Sequence, residues 1–428
     1  VVARNEYDVF GRQTELYAPG AGTTYYKYNP FGQLFYQKDP NGNEVTITYD
    51  NLGRVRSRIG GEGTTNYAYY NNNGRVNDNP VMIQLNGVVR QFEYNDPYLR
   101  LTSTSSVNNG QIYQFRYDHD IFDRLIEKTY PSGFQVRNYY DADGSLEQVD
   151  SPLGTLFQGV NKNGLGQYTE YVEGDGRTVS KEFDHGVLTR IKATGVQDLN
   201  MGYDYTTANL TFRLDAQKAL KEEFTYDELN RLTSSTVSST LPPFLSQPTT
   251  HYEYDGSIGA TKGNLTMRSD IGQLAYGNHN VIAAKNIAYP TPPDAPPFEI
   301  SLESQTISYT PFLKAVTIEE IVAGDNYLLQ YEYGPEQQRT RSVLKRNGTI
   351  EQERAYLGDY EVQNLQGDVE MIHYITGGDG LCAIVVNTNG AWKAYSTYTD
   401  HLNSLVAVTD NSGGAIVAEQ NFDPWGRH

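Results

Sequence analysis

A short turn motif that recurs along the chain restricts this sequence to a narrow set of folds. The motif is an aromatic residue, Asp or Asn, two variable residues, Gly, Arg or Gln, and then an aliphatic residue or Thr. The tyrosines of its first four copies are spaced 21, 21 and 21 residues apart. Such spacing indicates tandem copies of one structural unit. The residues predicted to form these turns are Tyr7, Asp8, Gly11, Arg12, Tyr28, Gly32, Tyr49, Asp50, Gly53, Arg54, Tyr70, Gly74 and Arg75.

The motif continues with a looser period along the rest of the chain. The pairs Tyr94–Asn95, Tyr117–Asp118 and Tyr140–Asp141 follow at spacings of 24, 23 and 23 residues. A well-preserved copy contains Tyr226, Asp227 and Arg231. Further candidate copies start at Tyr254, Tyr309, Tyr333 and Phe422. The repeat therefore extends over nearly all of the sequence.

Each copy contains the chemistry of a tight turn. In Asn29-Pro30-Phe31-Gly32, Asn can bond the backbone two residues on, Pro presets φ, and Gly tolerates a positive φ. This pattern predicts a type I turn followed by a left-handed glycine, which closes a hairpin with a bulge. A second turn, such as Asp39 to Gly42, lies in the middle of most repeats. Two turns per repeat leave strands of about 5–8 residues, the usual strand length.

These observations predict an all-β fold, a long antiparallel strip of tandem hairpins. The only short helix candidates are Asp215 to Phe224 and Ile318 to Val322. Twisted sheets rarely exceed about ten strands without curling, splitting or closing, so a strip this long should curve. We expect Gly11, Gly32, Gly53 and Gly74 to occupy equivalent turns along one edge of the strip.

Composition limits the possible partners. The net charge of −18, from 52 acidic and 34 basic residues, repels phosphate backbones and anionic lipids, so we predict no nucleic-acid partner. An acidic surface that faces a basic partner is the alternative to simple solubility. No apolar run is long enough for a membrane span, so none is predicted. With 35 Tyr and only 38% hydrophobic residues, the chain has material for a thin core.

No catalytic, cofactor-binding or metal-binding residue is predicted. Cys382 lies in an apolar run and is interpreted as a packed residue. The histidines show no metal-ligand spacing, and His401 beside Asp400 is interpreted as structural. The Asp141-Ala142-Asp143-Gly144 segment is interpreted as a repeat turn because its Gly is misplaced for a calcium loop.

The array resembles the YD repeats of the RHS family, which includes bacterial polymorphic toxins, the C component of insecticidal toxin complexes and the teneurins. The segment Tyr333 to Arg339 is similar to the family's YGPDQQR-type stretch, and Thr399 to Leu405 is similar to its TDHLGS motif, with Asn403 in place of Gly. Asp423 to Arg427 resembles the following DPFGR turn. The residues that match these core motifs are Asp400, His401, Leu402, Ser404, Asp423, Pro424, Gly426 and Arg427.

The resemblance implies a spiral hollow shell, a β-cocoon, of which this chain forms all or part. Residues 1–365 would be the repeat strip, with proline-rich loops near 241–249 and 290–297. Residues 366–428 would begin the RHS-associated core and stop before its self-cleavage segment, so the chain itself is not expected to be an enzyme. The chain opens with Val1-Val2-Ala3, and we interpret it as a piece of a longer protein.

The function implied is a structural shell of a secreted bacterial toxin that encapsulates a C-terminal toxin or cargo polypeptide. Its partners would be that cargo and other secretion or toxin-complex components, and its location would be secreted or at the bacterial cell surface. The alternative is a secreted or cell-surface adhesion module that binds carbohydrate through its tyrosines. A fibre segment is a third hypothesis, and an enzyme has the least support.

Overall fold

The protein is all-β throughout the part that its structure, a computed structural model, describes. The described residues are 3–18, 22–69, 71–72, 75–76, 78–242, 247–255, 263–270, 272–274 and 306–426. Every regular element in these ranges is a β-strand. The chain divides into two compact units. Of the described residues, unit one holds those up to 135 and those from 306 to 372, and unit two holds 136 to 274 and 373 to 426.

The strands follow one another along the chain with short connections. In unit one they are β1 Arg4–Tyr7, β2 Gln13–Ala18, β3 Gly22–Tyr28, β4 Leu34–Lys38, β5 Glu44–Tyr49, β6 Val55–Gly60, β7 Gly63–Ala68, β8 Asn71–Asn72, β9 Arg75–Val76, β10 Met82–Leu85, β11 Val88–Glu93, β12 Ser103–Asn108, β13 Gln111–His119 and β14 Leu125–Thr129. Next come β15 Gln135–Tyr140, β16 Leu146–Ser151, β17 Gly154–Lys162, β18 Tyr168–Glu173, β19 Thr178–Asp184, β20 Val187–Ala193, β21 Gln197–Asp204, β22 Asn209–Asp215, β23 Leu220–Tyr226, β24 Leu232–Ser239, β25 Thr250–Tyr254, β26 Leu265–Arg268 and β27 Gly272–Gln273, nearly all in unit two.

The remaining strands are β28 Thr306–Tyr309, β29 Ala315–Val322, β30 Asp325–Tyr333, β31 Arg339–Arg346, β32 Thr349–Tyr356 and β33 Tyr360–Leu365 in unit one, β34 Asp368–Gly377, which contains the unit boundary, and β35 Gly380–Thr388, β36 Ala391–Thr399, β37 Leu405–Asp410 and β38 Ile416–Glu419 in unit two. We call β1–β14 the first strip and β28–β33 the second strip of unit one.

Consecutive strands pair antiparallel in each strip. In the first strip β1 to β7 form a meander that continues from β7 through β10 to β14, while β8 and β9 form a separate small hairpin. The register shifts by one residue at Tyr7, Tyr28 and Tyr49. These shifts are the bulges that a type I turn with a left-handed glycine requires. Two strands per repeat, as the 21-residue period predicts, are confirmed.

Burial in unit one is greatest where the two strips face each other. Phe115 of the first strip and Tyr130, just after β14, pack against Tyr360 of the second strip, with ring centroids 6.0 and 6.1 Å from that of Tyr360. The buried side-chain amide of Asn108 donates to the carbonyl of Thr340 at 2.7 Å. By contrast, no described residue between 3 and 60 is buried. The first strands of the chain therefore form a single sheet layer with little core of its own.

Unit two has a denser core because its strands form two facing layers. The meander from β15 to β27 lies against the hairpins from β35 to β38 through β17 and β35, whose buried residues include Phe157 and Val385. The Phe157 ring packs on Gly377, where a Cβ would approach it to 2.8 Å. Glycine is thus required at this crossing because a larger residue would push the layers apart. Cys382 is buried in the same core, as predicted.

Two helix predictions and two turn predictions differ from the structure. Neither helix candidate is helical: residues 215–224 comprise the end of β22, a four-residue turn and most of β23, and residues 318–322 lie in β29, where cross-strand pairing overrides weak helical propensity. The turns expected to start at Asn95 and Asp118 start instead at Asp96 and Asp120, one and two residues later respectively. In each case the side chain of an Arg four residues after the Asp hydrogen-bonds to the Asp carboxylate and closes the turn. No Arg stands four residues after Asn95 or Asp118.

Some predicted features fall wholly or partly outside the described residues. These are Tyr70, Gly74, Arg427, the 290–297 loop and residues 243–246 of the other proline-rich loop. Arg75 lies in β9, but only its backbone is described. The boundary at residue 365 between repeat strip and core stays a prediction. No helix capable of crossing a membrane is found in the described part of the chain.

Candidate functional site

The YD turn is the element on which the whole architecture depends. In the first copy one carboxylate oxygen of Asp8 accepts from the backbone N–H groups of Phe10 and Arg12 at 2.9 and 3.0 Å. The other oxygen accepts from the Arg12 guanidinium at 2.6 Å. Gly11 closes the turn at φ +78°. Asp50 with Arg54 and Asp227 with Arg231 repeat this arrangement.

Successive YD turns are joined through the motif tyrosine. The hydroxyl of Tyr28 donates to the carbonyl of Gln13 at 2.9 Å, one repeat earlier, and that of Tyr49 donates to Leu34 at 2.6 Å. The Arg12 guanidinium lies 5.0 Å from the centre of the Tyr28 ring, a cation–π contact. Tyr226 donates equivalently to Leu210 at 2.9 Å. Each Tyr therefore links two neighbouring turns into one ladder.

The fourth repeat shows a shift that the period did not reveal. Its equivalent hydrogen bond, to the carbonyl of Val55 at 3.0 Å, comes from Tyr69, one residue before the tyrosine that the period indicates. Arg54 lies 4.3 Å from the Tyr69 ring centre. Spacing alone does not specify which tyrosine of a Tyr-Tyr pair makes this hydrogen bond.

The C-terminal motif residues also form turns. One carboxylate oxygen of Asp400 accepts from the backbone N–H groups of Leu402 and Ser404, both at 2.8 Å. Asn403 takes the left-handed position at φ +62°, so it substitutes for the family's Gly. Asp423 accepts from the Trp425 N–H at 2.9 Å, and the Gly426 N–H donates to the Asp423 carbonyl. Pro424 is the second residue of this turn.

These two turns border a cavity of about 310 Å³ in unit two. Its apolar wall consists of Leu199, Met201, Leu220, Val237, Val406 and Phe422. His401, Asp400 and Asp423 contribute to the polar side. The sequence did not predict that the two C-terminal motifs share a cavity, because the residues from β21 to β24 complete it.

Burial shifts the pKa values of two titratable groups that line this cavity. Burial lowers the pKa of His401, against the opposing charge of Asp400, so its imidazole is neutral near pH 7. Burial raises the pKa of Glu222, whose carboxylate is paired with Arg213 at 2.7 Å. The described lining contains no Ser, Thr or Cys nucleophile. Nor do the described ranges contain three or more His, Cys, Asp or Glu residues placed to hold a metal ion.

A buried acidic turn that the sequence analysis missed lies between β18 and β19. The Asp175 side chain is fully buried and accepts from the hydroxyls of Tyr398 and Thr409 at 2.9 and 2.7 Å. Arg177 donates to the carbonyl of Gly414 at 2.7 Å. The turn thus anchors the meander of unit two to its C-terminal hairpins. Its Glu-Gly-Asp-Gly-Arg sequence resembles an ordinary repeat turn, so only the packing distinguishes it.

Beside Asp175, Glu173 is buried, and its Oε2 has no hydrogen-bond partner among the described residues. Burial, followed by the nearby charges of Asp175 and Asp379, raises the pKa of Glu173 well above its usual range. A carboxyl group in this position favours its neutral, protonated form.

Comparison with known proteins agrees with this geometry. Residues 26–158 match the family model described as Teneurin YD-shell. No curated protein matches the sequence. Over 99% of this chain the fold is similar to crystal structures described as TcdB2-TccC3-TEV and TcdB2-TccC3, with TM-scores of 0.78 and 0.76 at 16% and 17% identity.

A Tc holotoxin pore structure from Photorhabdus luminescens is similar over the same 99%, with a TM-score of 0.77 at 17% identity. The chain covers only 24–25% of these three structures' chains, about a quarter of their length. The turn ladder, the family-model match and the shared fold together confirm the resemblance of this chain to the RHS and teneurin YD-repeat shell proteins.

Proposed function

We propose that residues 1–428 form part of the wall of an RHS-type shell that encloses a toxin or another cargo polypeptide. The observation that carries this proposal is the fold shared with the TcdB2-TccC3 complexes over 99% of the chain. One such complex was solved without its hypervariable C-terminal region, which indicates that a variable segment follows the shell in that protein. By analogy, the cargo here would be a C-terminal polypeptide.

The packing of unit one supports a wall rather than a solid domain. Strands β1 to β6 contain no buried residue among those described, so neither face of this sheet layer is fully covered. A chain of this size normally folds around a substantial core. A sheet one layer thick instead encloses a given volume with fewer residues than a solid domain would need, as a container requires.

In this proposal the wall performs no chemistry of its own. Asp400 and Asp423, the aspartates of the two C-terminal motifs, use their carboxylates to hold turns. Residues 1–365 serve as the repeat strip, and residues 366–428 start the core that follows it. The protein would be secreted or displayed at a bacterial surface together with other toxin-complex components.

Protease protection tests the proposal. The natural protein containing these residues is purified with any associated polypeptide, treated with protease, and the surviving fragments are identified by mass spectrometry. We expect a non-repeat polypeptide to survive with the shell. Asp175→Ala, which removes the buried anchor of unit two, should expose that polypeptide, whereas the exposed-turn control Asp143→Ala should leave it protected.

Two results would contradict the shell. One is the absence of any protected polypeptide from the wild-type preparation. The other is specific retention of the protein on a glycan surface that is lost when turn aromatic residues are substituted, which would favour the adhesion module. Circular dichroism of both variants checks that the strands persist.

A further inference from the structure

One ion pair in unit two joins two strands that are distant in sequence. The Lys181 ammonium, on β19, contacts the carboxylate of Asp379, in the turn between β34 and β35. The two side chains are only 10% and 22% exposed. The Lys181 Nζ also lies 5.9 Å from the centre of the buried Tyr171 ring. An amine and a carboxyl group are therefore held in contact in largely apolar surroundings.

Close packing of the β34–β35 turn holds Asp379 in this position. A Cβ at Gly377 would approach the Phe157 ring to 2.8 Å, and a Cβ at Gly378 would approach the Tyr168 ring to 2.5 Å. Glycine has no Cβ, so the turn can lie directly on both rings. The rings pack edge-on against each other, with centroids 5.5 Å apart. The turn is thus seated on β17 and β18, and its aspartate reaches β19.

A buried carboxyl group lies on the same face of the sheet. Tyr171 and Val179 are cross-strand partners in β18 and β19. Glu173 and Lys181, two residues further along each strand, therefore point to the same face. The Glu173 Oε2 is buried and has no hydrogen-bond partner among the described residues. Burial raises its pKa most, and the charges of Asp379 and Lys181 shift it further in opposite directions, so both groups lie near it.

We propose that Lys181 and Asp379 join in an isopeptide bond and that Glu173 transfers the protons. Lys181 gives a proton to the Asp379 carboxylate, and its Nζ then attacks the Asp379 Cγ to form a tetrahedral centre. The neutral Glu173 carboxyl group donates a proton to the leaving hydroxyl and regains one from the nitrogen. A C–N bond forms, a C–O bond breaks and one water molecule leaves. No further reactant and no change of oxidation state are needed.

The arrangement of the three groups favours this condensation. Reacting groups held in contact behave as if present at about 10⁵–10⁸ M. Because a charge is costly to bury, the core favours a neutral amide over an ion pair. The bond would span 198 residues of sequence and fasten the two layers of unit two together. It forms once, within the chain, and acts on no other molecule. The inference therefore goes beyond the proposed wall and does not depend on it.

A second ion pair of unit two lacks such an acid and serves as a control. Lys162 contacts Asp141, and their side chains are 22% and 27% exposed. The other acidic group near Lys162 is Asp143, which is exposed to solvent. An exposed carboxyl group is ionised near pH 7 and has no proton to donate. This pair should therefore remain an ion pair.

Peptide mapping of the natural protein containing these residues tests the proposal. Trypsin does not cut after a linked lysine, so digestion should give a branched peptide in which residues 178–190 are joined to residues 355–393. Its mass should be the sum of the two linear peptides less one water molecule. Fragmentation in the mass spectrometer should place the bond between Lys181 and Asp379. No branched peptide should join Lys162 to Asp141.

Three variants assign the roles. Lys181→Arg keeps the positive charge but has no primary amine, and should abolish the branched peptide. Glu173→Gln cannot transfer the proton and should slow bond formation by about a hundredfold, so the freshly purified variant should give mainly linear peptides. Lys162→Arg should give the wild-type yield. Circular dichroism checks that the strands persist in each variant.

Two outcomes would overturn the proposal. One is a wild-type protein that gives only the linear peptides, which would leave Lys181 and Asp379 as an ordinary ion pair. The other is a folded Glu173→Gln variant that is linked as fully as the wild type, which would remove Glu173 from the reaction. Neither outcome bears on protease protection of a cargo, so failure of this proposal and failure of the shell are distinguishable.

Discussion

The same turn motif exists in two environments within unit one. In the first strip Pro30, the second residue of its YD turn, is exposed to solvent, whereas in the second strip the equivalent Pro335 is buried and Gly334 with it. Both turns close with the same backbone hydrogen bonds. The difference lies in whether the rest of unit one covers the turn. The motif specifies a turn, and tertiary contacts determine whether that turn is exposed to solvent or buried.

The environments differ in charge as well as in packing. In the exposed turn of Asp8, the hydrogen bond from Arg12 lowers the pKa of the carboxyl group. In the covered turn of unit two, burial raises the pKa of Glu173. Two acidic residues of repeat turns thus shift in opposite directions. Asp175, in the same covered turn, has a lowered pKa: burial opposes the shift, but the hydrogen bonds from Thr409, Arg177 and Tyr398 outweigh it. Burial therefore raises the pKa of a turn carboxyl group only where, as at Glu173, hydrogen-bond donors do not compensate for it.

The largest expected difference in unfolding free energy is between a charge placed in the buried turn and the same charge placed in the exposed turn. Pro335→Asp buries a carboxylate without a prepared partner and should lower the free energy of unfolding by about 3 kcal/mol. Pro30→Asp changes the same residue type at the same turn position in solvent and should stay within about 0.5 kcal/mol of wild type. Urea unfolding followed by circular dichroism measures both, and equal losses would show that the two environments are energetically alike.

The next effect concerns Glu173. Because its folded-state pKa is raised, its stabilising contribution is complete below the unfolded value of about 4.3 and is lost as pH rises through the folded-state pKa. Glu173→Gln cannot ionise. In a Lys181→Arg background, where no isopeptide bond forms, we expect the variant to match its parent at pH 4 and to be more stable by about 1–3 kcal/mol at pH 8. Thermal unfolding across this range provides the measurement, and parallel pH profiles would contradict a buried neutral carboxyl group.

A smaller effect tests the tyrosine ladder. Tyr28→Phe keeps the ring but removes the hydrogen bond to the Gln13 carbonyl, and should cost about 1 kcal/mol. The control is Tyr7→Phe, since the Tyr7 hydroxyl has no partner among the described residues and its side chain is largely exposed. That change should leave the unfolding midpoint in urea unaltered. If both variants lose the same stability, the hydroxyl bond between turns contributes nothing.

The smallest effect is the titration of the exposed turn. Asp8 has a lowered pKa, so the stability it contributes is present above its ordinary value and is lost as pH falls through the folded-state pKa. Carboxyl NMR should find Asp8 titrating below the ordinary range. Arg12→Gln should move its midpoint back upward, because the charged hydrogen bond is gone. An unchanged midpoint would show that the backbone N–H groups alone set the value.

The strands and turns were largely predictable because they depend on neighbours in sequence. The Asp8 carboxylate accepts hydrogen bonds from backbone N–H groups only two and four residues later, and Gly11 adopts a positive φ that glycine tolerates without a distant contact. The turns at Asp96 and Asp120 were placed one and two residues early because the tyrosine was used to set the register. The Asp–Arg pair four residues apart was the more reliable signal, and it is visible in the sequence.

The covered edges, the cavity beside His401 and the burial of Glu173 were not predictable in this way. Asn108 meets Thr340 across 232 residues, and Asp175 meets Thr409 across 234. Such contacts join different repeats without any relation to the period between them. The sequence by itself determined an all-β chain of tandem hairpins, because the free energy of a turn is settled within five residues. Only the tertiary structure decided which turns are buried and which acids are neutral, because burial depends on which distant strands lie across them.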